Sequence, residues 1–147
     1  MNRGGKVILV LGIGTIGLIY ALTRKAKAAL GTFSAMKIWY EGILPPVDDF
    51  GYGNLVSGQS VPVNIDIYII IDWMNISDSQ IVGHVDLAID GEAVTASRNQ
   101  DMWAAPGNGR RVRFNAINLA VGTHILTATL SVDGIVQDSQ SFTLVAS

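Results

Sequence analysis

An uncharged apolar run from Val7 to Leu22 constrains the fold of this chain more than any other feature. Its 16 residues would form a helix of about 24 Å, slightly shorter than the hydrocarbon core of a bilayer, and Gly4, Gly5 and Thr23 extend the span at little cost. Basic side chains flank the run on both sides, where they would reach the lipid headgroups. The sequence therefore predicts one N-terminal transmembrane α-helix.

The residues of this helix fall into three predicted roles. The membrane-spanning side chains are Val7, Ile8, Leu9, Val10, Leu11, Ile13, Ile16, Leu18, Ile19 and Leu22. Lys6, Arg24, Lys25 and Lys27 are predicted to contact lipid headgroups. Gly17 and Ala21 form a face of small residues on which another helix could pack closely.

Two other interpretations of the run are weaker. Ala26-Lys27-Ala28 resembles a signal-peptide cleavage site, but the basic residues between it and the apolar run oppose translocation. The glycines from Gly12 to Gly17 fit a dinucleotide-binding loop, but neither the second strand nor the acidic residue that this loop requires follows. Bases lie on both sides of the run, so the direction of insertion stays open.

Charge divides the chain into two parts. Residues 1–30 carry five basic and no acidic side chains, whereas residues 31–147 carry twelve acidic and five basic ones, a net charge of −7. An acidic domain is a poor match for nucleic acid, and the absence of cysteine excludes disulfides and thiolate chemistry. We predict a membrane helix with basic flanks over residues 1–31 and a globular domain over residues 32–147.

The globular part alternates between apolar and polar residues with the period of β-strands. The clearest case is the run from Val61 to Asp72, in which every odd position is apolar. Asp90-Gly91 and Asp133-Gly134 each join two such runs and predict tight hairpin turns. Further strands are expected at 36–41, 83–89, 92–97, 111–117, 124–132 and 135–145, with the longest connection at 42–59. About seven short strands predict a mainly β protein.

The C-terminal part carries a resemblance to a known family. Gly122 opens a run in which small polar and apolar residues alternate, Asp133-Gly134 makes a turn, and a last strand ends at Val145. This pattern resembles the last two strands of immunoglobulin-like modules in bacterial, archaeal and viral surface proteins. The resemblance implies an antiparallel β-sandwich with a structural or adhesive role, although the Cys–Trp–Cys core of antibody domains is absent.

Few residues suggest chemistry. His84 and His124 lie in predicted strands without a second histidine at metal-ligand spacing, so we expect surface roles for both. Asp48-Asp49 lies in a loop rich in proline and glycine, but it lacks a calcium-loop pattern. Five aromatic residues could stack on a sugar: Trp39, Tyr40, Tyr52, Trp73 and Trp103. Core packing and membrane proximity explain them better, and we predict no metal and no cofactor.

The strongest interface candidate is a group of arginines with one tryptophan. Its members are Arg98, Trp103, Arg110, Arg111 and Arg113. Arginine and tryptophan are common anchors of protein interfaces, so the group could contact an acidic partner. The alternative is that Arg111 and Arg113 are the outward positions of a strand whose inward positions are Val112 and Phe114.

These observations favour a non-enzymatic, membrane-anchored structural protein. Its immunoglobulin-like module would make protein–protein contacts in a virion, linking membrane to capsid, or in a cell-surface assembly. The expected partners are the lipid membrane and other protein subunits in a multi-copy assembly, with no nucleic acid and no small-molecule substrate. The alternatives are a pilin-like filament subunit, with the apolar helix buried in a bundle, and an accessory binding module of a membrane complex.

Overall fold

A computed structural model describes residues 28–147. The predicted transmembrane helix, with its membrane-spanning, helix-packing and headgroup-contacting residues, lies outside the described residues. Within residues 28–147, no helix is long and apolar enough to cross a membrane.

The described part of the chain is built from strands that form two sheets. The strands are β1 (Gly31–Tyr40), β2 (Gly53–Asn54), β3 (Gln59–Val61), β4 (Ile67–Asn75), β5 (Ile81–Ile89), β6 (Glu92–Val94), β7 (Ala96–Arg98), β8 (Asp101–Ala104), β9 (Gly109–Phe114), β10 (Gly122–Val132) and β11 (Ile135–Ala146). Sheet A has the order β2-β1-β4-β9-β7, and sheet B has the order β3-β11-β10-β5-β6, with β8 also paired to β5. The prediction of a mainly β domain with sandwich architecture is confirmed.

The sandwich departs from a fully antiparallel arrangement at one edge. The short strand β3 runs parallel to the end of β11, where Gln59 lies opposite Leu144. The other strand pairs of both sheets in the described residues are antiparallel. The prediction of an antiparallel sandwich therefore holds for every pair except this one.

The apolar periodicity at 61–72 predicts a single strand, and that prediction is wrong. Val61 ends β3 in sheet B, whereas Ile67 begins β4 in sheet A, so the chain crosses the sandwich between them. Pro62 lacks a backbone N–H for a ladder, and Asn64 has a left-handed φ of 60°. The alternation survives the break because Val63 and Ile65 pack against the core from the connection.

A second predicted strand also divides. Residues 92–97 form β6, which pairs with β5 in sheet B, and β7, which pairs with β9 in sheet A. The two predicted hairpins are confirmed: φ is positive at Asp90 (52°) and Gly91 (85°), and again at Asp133 (53°) and Gly134 (76°). Two successive positive φ values define the turn whose twist matches that of paired strands.

The core lies between the inner faces of the two sheets. Ile67, Ile69, Ile71 and Trp73 of β4 all project into it with no measurable exposure. The Trp73 ring lies directly against Gly83 of β5, where an added Cβ would come within 2.5 Å of the ring. Position 83 must therefore be glycine, because the Trp73 ring occupies the space that a side chain there would need.

The sandwich has two ends that matter for function. At the N-terminal end lie Gly31, Asn75 at the end of β4, Ile81 at the start of β5 and the Asp133-Gly134 turn. At the distal end lie Tyr40, the start of β4 and the Asp90-Gly91 turn. Since β1 has ten residues, the two ends are about 30 Å apart.

Candidate protein-contact surface

Residues 42–52, which we call the 42–52 loop, fold back over the outer face of sheet A. The Asp48 carboxylate orders this loop: Oδ1 accepts backbone N–H bonds from Phe50 and Tyr52, both at 2.9 Å, and Oδ2 lies 3.6 Å from Nζ of Lys37 in β1. The Tyr52 N–H, followed by the Phe50 N–H and Lys37, lowers the pKa of Asp48 below its ordinary value. The loop is thus tied both to itself and to the sheet.

The loop covers Ile70, an apolar side chain on the outer face of sheet A, which points away from the core. Ile70 of β4 alternates with the inward residues, yet only 1% of it is exposed. Its neighbours across the strands are Lys37 and Arg113, which contact Asp48 and the Tyr52 hydroxyl respectively. The loop therefore passes over Ile70, and burial of that side chain helps to hold the loop down.

An arginine fixes the other side of the loop. Nε and Nη2 of Arg111 in β9 donate to the two carboxylate oxygens of Asp72 in β4, at 2.7 and 2.9 Å. The guanidinium also lies over the rings of Phe50 and Tyr52, at 5.5 and 5.6 Å from their centroids. Its pairing with Asp72 raises the pKa of Arg111 above its ordinary value. The charge of Arg111 is therefore balanced within the domain.

The loop presents an apolar surface to solvent, which we call the crest. Its members are Leu44, Val47 and Phe50, with exposed fractions of 78%, 40% and 73%. Phe50 stacks on Tyr52 with ring centroids 6.3 Å apart, and this contact fixes the orientation of the Phe50 ring. Exposed apolar residues on a loop held by Asp48 and Arg111 resemble the pre-organised anchors of protein interfaces.

Two of the predicted interface arginines lie exposed on the face of sheet A that carries the 42–52 loop. Arg98 in β7 and Arg113 in β9 are exposed and lie opposite each other across the strand pair. Arg113 donates to the Tyr52 hydroxyl at 3.0 Å. Within residues 28–147 neither of the two forms an ion pair, so this side of sheet A carries two uncompensated positive charges.

The structure separates the remaining predicted interface residues from these. Arg110 and Arg111 point to opposite faces of β9, and Arg110 instead reaches β8 of sheet B, where its Nε donates to the Trp103 carbonyl at 2.7 Å. Its guanidinium lies 4.8 Å from the Trp103 ring centroid. The five residues that the sequence grouped therefore form two surfaces: Arg98, Arg111 and Arg113 beside the crest, and Trp103 with Arg110 at the N-terminal end.

Both histidines bind carboxylates. His84 contacts Asp101 through Nδ1 at 2.6 Å and Asp86 through Nε2 at 3.0 Å, while His124 contacts Asp90 at 2.7 Å and the Ala120 carbonyl at 2.7 Å. All of these partners accept hydrogen bonds and so favour the doubly protonated ring. The Asp101 bond raises the pKa of His84, and the Ala120 carbonyl followed by Asp90 raises that of His124. Both residues link neighbouring strand segments at the surface.

The other candidates from the sequence do not converge on a site. Asp48 is engaged by backbone amides and Lys37, and no group of three or more histidine or acidic residues within 28–147 could hold a metal ion. Trp73 is a core residue, and Trp103 lies on the other sheet from Trp39 and Tyr52. A groove of about 320 Å³ beside β1, bounded by Phe33, Met36, Leu55 and Phe142, is lined by no ionisable side chain.

The crest and the role of Asp72 are not predicted from the sequence. Leu44, Val47 and Phe50 lie in a segment with no strand periodicity, which sequence patterns identify only as a loop. The sequence does contain one indication, because three large apolar residues occur within seven positions of this loop, and clustered exposed apolar side chains mark interaction sites. Alternation alone places Asp72 on the outer face of its strand, and no local pattern indicates its ion pair, because Arg111 is 39 residues away.

No protein family and no curated protein matches this sequence. Solved structures with the same fold exist, however. The chain is similar to the C-terminal domain of Wzt, at 14% identity over 81% of this chain and 74% of that one, with a TM-score of 0.56. It is also similar to a CARDB domain from Pyrococcus furiosus in complex with di-metal ions, at 16% identity over 70% of this chain and all of that domain, with a TM-score of 0.51.

A third similar structure is a β-galacturonidase from Eisenbergiella tayi, with a TM-score of 0.54 and 9% identity over 80% of this chain. The matched part is only 19% of that enzyme, so the chain corresponds to a fraction of its length. At these identities the comparisons show the fold alone. They place residues 28–147 among β-sandwich modules.

Proposed function

We propose that this chain is a non-enzymatic, membrane-anchored structural protein whose β-sandwich makes protein–protein contacts through the crest. The observation that carries this proposal is the crest itself. Leu44 and Phe50 are largely exposed, although the loop that bears them is fixed by Asp48, Arg111 and the buried Ile70. A loop that holds apolar side chains rigidly in water is well suited to a partner that covers them.

Charge supports a particular kind of partner. Arg98 and Arg113 lie beside the crest without an ion pair in the described domain, whereas Arg111 is neutralised by Asp72. A partner with an apolar patch bordered by acidic side chains would complement both features. This combination favours a protein over a small molecule, because exposed side chains spread over a sheet face do not form a pocket that encloses a ligand.

The anchor rests on the sequence of residues 1–27. The uncharged run from Val7 to Leu22 between basic flanks has the hydropathy of a transmembrane helix. The setting we propose is a virion, where a short anchored subunit links membrane to capsid, or a multi-copy assembly at a cell surface. Both settings require an anchor, a rigid spacer domain and a contact surface, and none of these requires chemistry.

Site-specific photo-crosslinking in native membranes tests the contact surface. A photoreactive amino acid is placed at Phe50 in the full chain and, as a matched control, at Val121, which is equally exposed at 75% but lies outside the crest. The proposal predicts a discrete protein adduct from position 50 and none from position 121. Equal labelling from the two positions, or no adduct from either, would contradict it.

The identity of the adduct separates the alternatives. A crosslink between two copies of this chain would support a filament-like or lattice-forming subunit. A crosslink to one stoichiometric different protein would support a linker or an accessory module. Replacing both Arg98 and Arg113 by glutamate should weaken the adduct at position 50 if the partner is acidic, while leaving the folded domain intact because both side chains are exposed.

A further inference from the structure

The N-terminal end of the sandwich carries a second apolar surface, separate from the crest. We call it the N-terminal rim and define it as Met74, Ile76, Val82 and Trp103. Ile76 is 51% exposed and Trp103 is 48% exposed. Val82 and Trp103 lie opposite each other on β5 and β8, while Met74 and Ile76 lie at the end of β4. Met74 lies on the outer face of sheet A, and Val82 and Trp103 lie on the outer face of sheet B, so the rim surrounds one end of the sandwich.

The chain leaves the domain at this rim. The backbone N–H of Ile76 donates to the carbonyl of Leu30 at 2.9 Å, so the rim touches the point from which the chain runs back toward residue 1. Leu22, the last residue of the apolar run, is six residues from Ala28. Six residues span at most about 21 Å. A helix in a bilayer would therefore hold this end of the domain close to the membrane surface, with the distal end about 30 Å further away.

The rim is rigid because Asn75 is fully hydrogen-bonded inside it. This buried side chain donates from Nδ2 to the carbonyls of Ser79 and Ala104, both at 2.8 Å, and its Oδ1 accepts bonds from the N–H and the hydroxyl of Ser77. Its backbone N–H and carbonyl bind Asn108 and Gly107. One residue thereby fixes the loops at 76–80 and 105–108, and the apolar rim is formed before anything contacts it.

The composition of the rim suits the interface between lipid and water. Trp103 is an amphipathic ring with the Arg110 guanidinium 4.8 Å from its centroid, and tryptophan with arginine is typical of the headgroup region. Asp78 and Asp133 also lie exposed at this end, so the rim is not basic. Attraction to a membrane must then come from apolar area, not from charge.

We infer that the N-terminal rim is a lipid-contacting surface that seats the domain on the bilayer and leaves the crest exposed on the side of the sandwich. This inference rests on the proposed membrane anchor and adds a second membrane contact. Ile76, Val82 and Trp103 insert into the headgroup layer, to a depth of about 5–10 Å as for other interfacial side chains. The seating fixes the orientation of the domain, so that the 42–52 loop on the outer face of sheet A stays in water beside the sandwich.

Site-directed spin labelling of the full chain tests this inference. Because the chain contains no native cysteine, each introduced cysteine carries the single label. The protein carries Ile76→Cys or, as the matched control, Val121→Cys at the distal end, and is reconstituted in phosphatidylcholine vesicles with and without anionic lipid. The accessibility of the label at position 76 to oxygen and to a nickel chelate should place it at headgroup depth. The depth should be the same with and without anionic lipid. The label at position 121 should read as aqueous.

The possible failures are distinguishable. If the chain floats with the vesicles but the label at position 76 is as aqueous as that at position 121, the seating is refuted and the anchor stands. If the chain does not float with the vesicles, the anchor falls and the inference falls with it. Quenching by brominated lipids gives an independent readout: it should occur in the wild-type chain and drop in the Trp103→Phe variant, and equal quenching in both would overturn the inference.

Discussion

Single residues in this domain act through contacts with partners far away in the chain. Gly83 is required because the Trp73 ring occupies the space of its missing side chain. Asp72 would be an ordinary solvated strand residue without Arg111, which binds both of its carboxylate oxygens. Asn75 joins the ends of three segments through its amide. In each case the residue type is explained only by its neighbour in space.

Replacing Gly83 with alanine should lower the free energy of unfolding by about 1–3 kcal/mol, the usual cost of overpacking a core. The reason is the 2.5 Å approach of the new Cβ to the Trp73 ring. Denaturant unfolding of the full chain in detergent measures the change. In a double-mutant cycle the combination with Trp73→Phe should cost less than the two single changes together, because the smaller ring leaves room; simple additivity would contradict this explanation.

The two histidines make stability depend on pH. Both imidazoles face only acceptors, and their pKa values are raised in the folded domain. A raised pKa contributes stability fully below the ordinary value of about 6.5, and this contribution is lost as pH rises through the folded pKa. The lowered pKa values of Asp48 and Asp90 act in the opposite direction, since their contribution is lost on acidification below about 4.

We therefore expect the domain to be most stable at mildly acidic pH and to lose stability as the pH rises above about 6.5. The chain contains only two histidines, so NMR titration of the full chain should show two imidazole pKa values, both above 6.5. Thermal unfolding at a series of pH values checks the consequence. Replacing both histidines with glutamine should flatten the alkaline side of the profile, and an unchanged slope would contradict the assignment.

At the scale of elements, the 42–52 loop is the least expected part of the domain. Its sequence predicts only a connection, yet it is fixed by a carboxylate that binds two of its own amides and by contacts to β1 and β9. The strand pairs on either side have regular registers over most of their length. The loop is therefore an ordered surface laid across sheet A, and its order is what turns Leu44 and Phe50 into a crest.

Replacing Asp48 with alanine should release the loop without unfolding the sandwich. The N–H groups of Phe50 and Tyr52 lose their acceptor, so the loop loses the contacts that order it, whereas the core is unchanged. Hydrogen exchange at the Phe50 and Tyr52 amides should accelerate, and the photo-crosslink from position 50 should weaken. The adjacent Asp49→Ala variant is the matched control and should behave as wild type, since Asp49 forms no hydrogen bond in the described part of the chain. Equal effects from the two variants would contradict the role of Asp48.

At the scale of the whole molecule, the proposed architecture places two apolar surfaces at different positions on one rigid body. The N-terminal rim lies where the chain leaves the domain, and the crest lies on the loop that follows the distal end of β1. A domain seated at the rim would present the crest, on the outer face of sheet A, to a partner beside it. Anchor, rim and crest would then have three separate roles in one chain.

Partitioning tests this division. The full chain should require detergent, whereas a truncated chain beginning at Ala28 should stay soluble and monodisperse, because the apolar run accounts for the demand for lipid. The truncated chain keeps the Leu30 carbonyl that binds Ile76. Size-exclusion chromatography with and without detergent measures the outcome. A full chain that is monodisperse without detergent would contradict the anchor.

The sequence by itself determined the features that depend on neighbouring residues. Alternation along β4 and β10 and the Asp-Gly turns follow from the period of a strand and from local backbone preferences, so the β content and two hairpins were predictable. The separation of basic and acidic residues along the chain is likewise a property of sequence alone.

Only the tertiary structure decided which strands share a sheet and which side chains meet. Residues 61–72 and 92–97 each read as one strand, but each divides between the two sheets, because alternation reports a buried face and not the sheet to which that face belongs. The five predicted interface residues separate because successive positions of β9 point to opposite faces. The crest depends on Asp48, Ile70 and Arg111, whose contacts join segments far apart in sequence and form only when the sandwich closes.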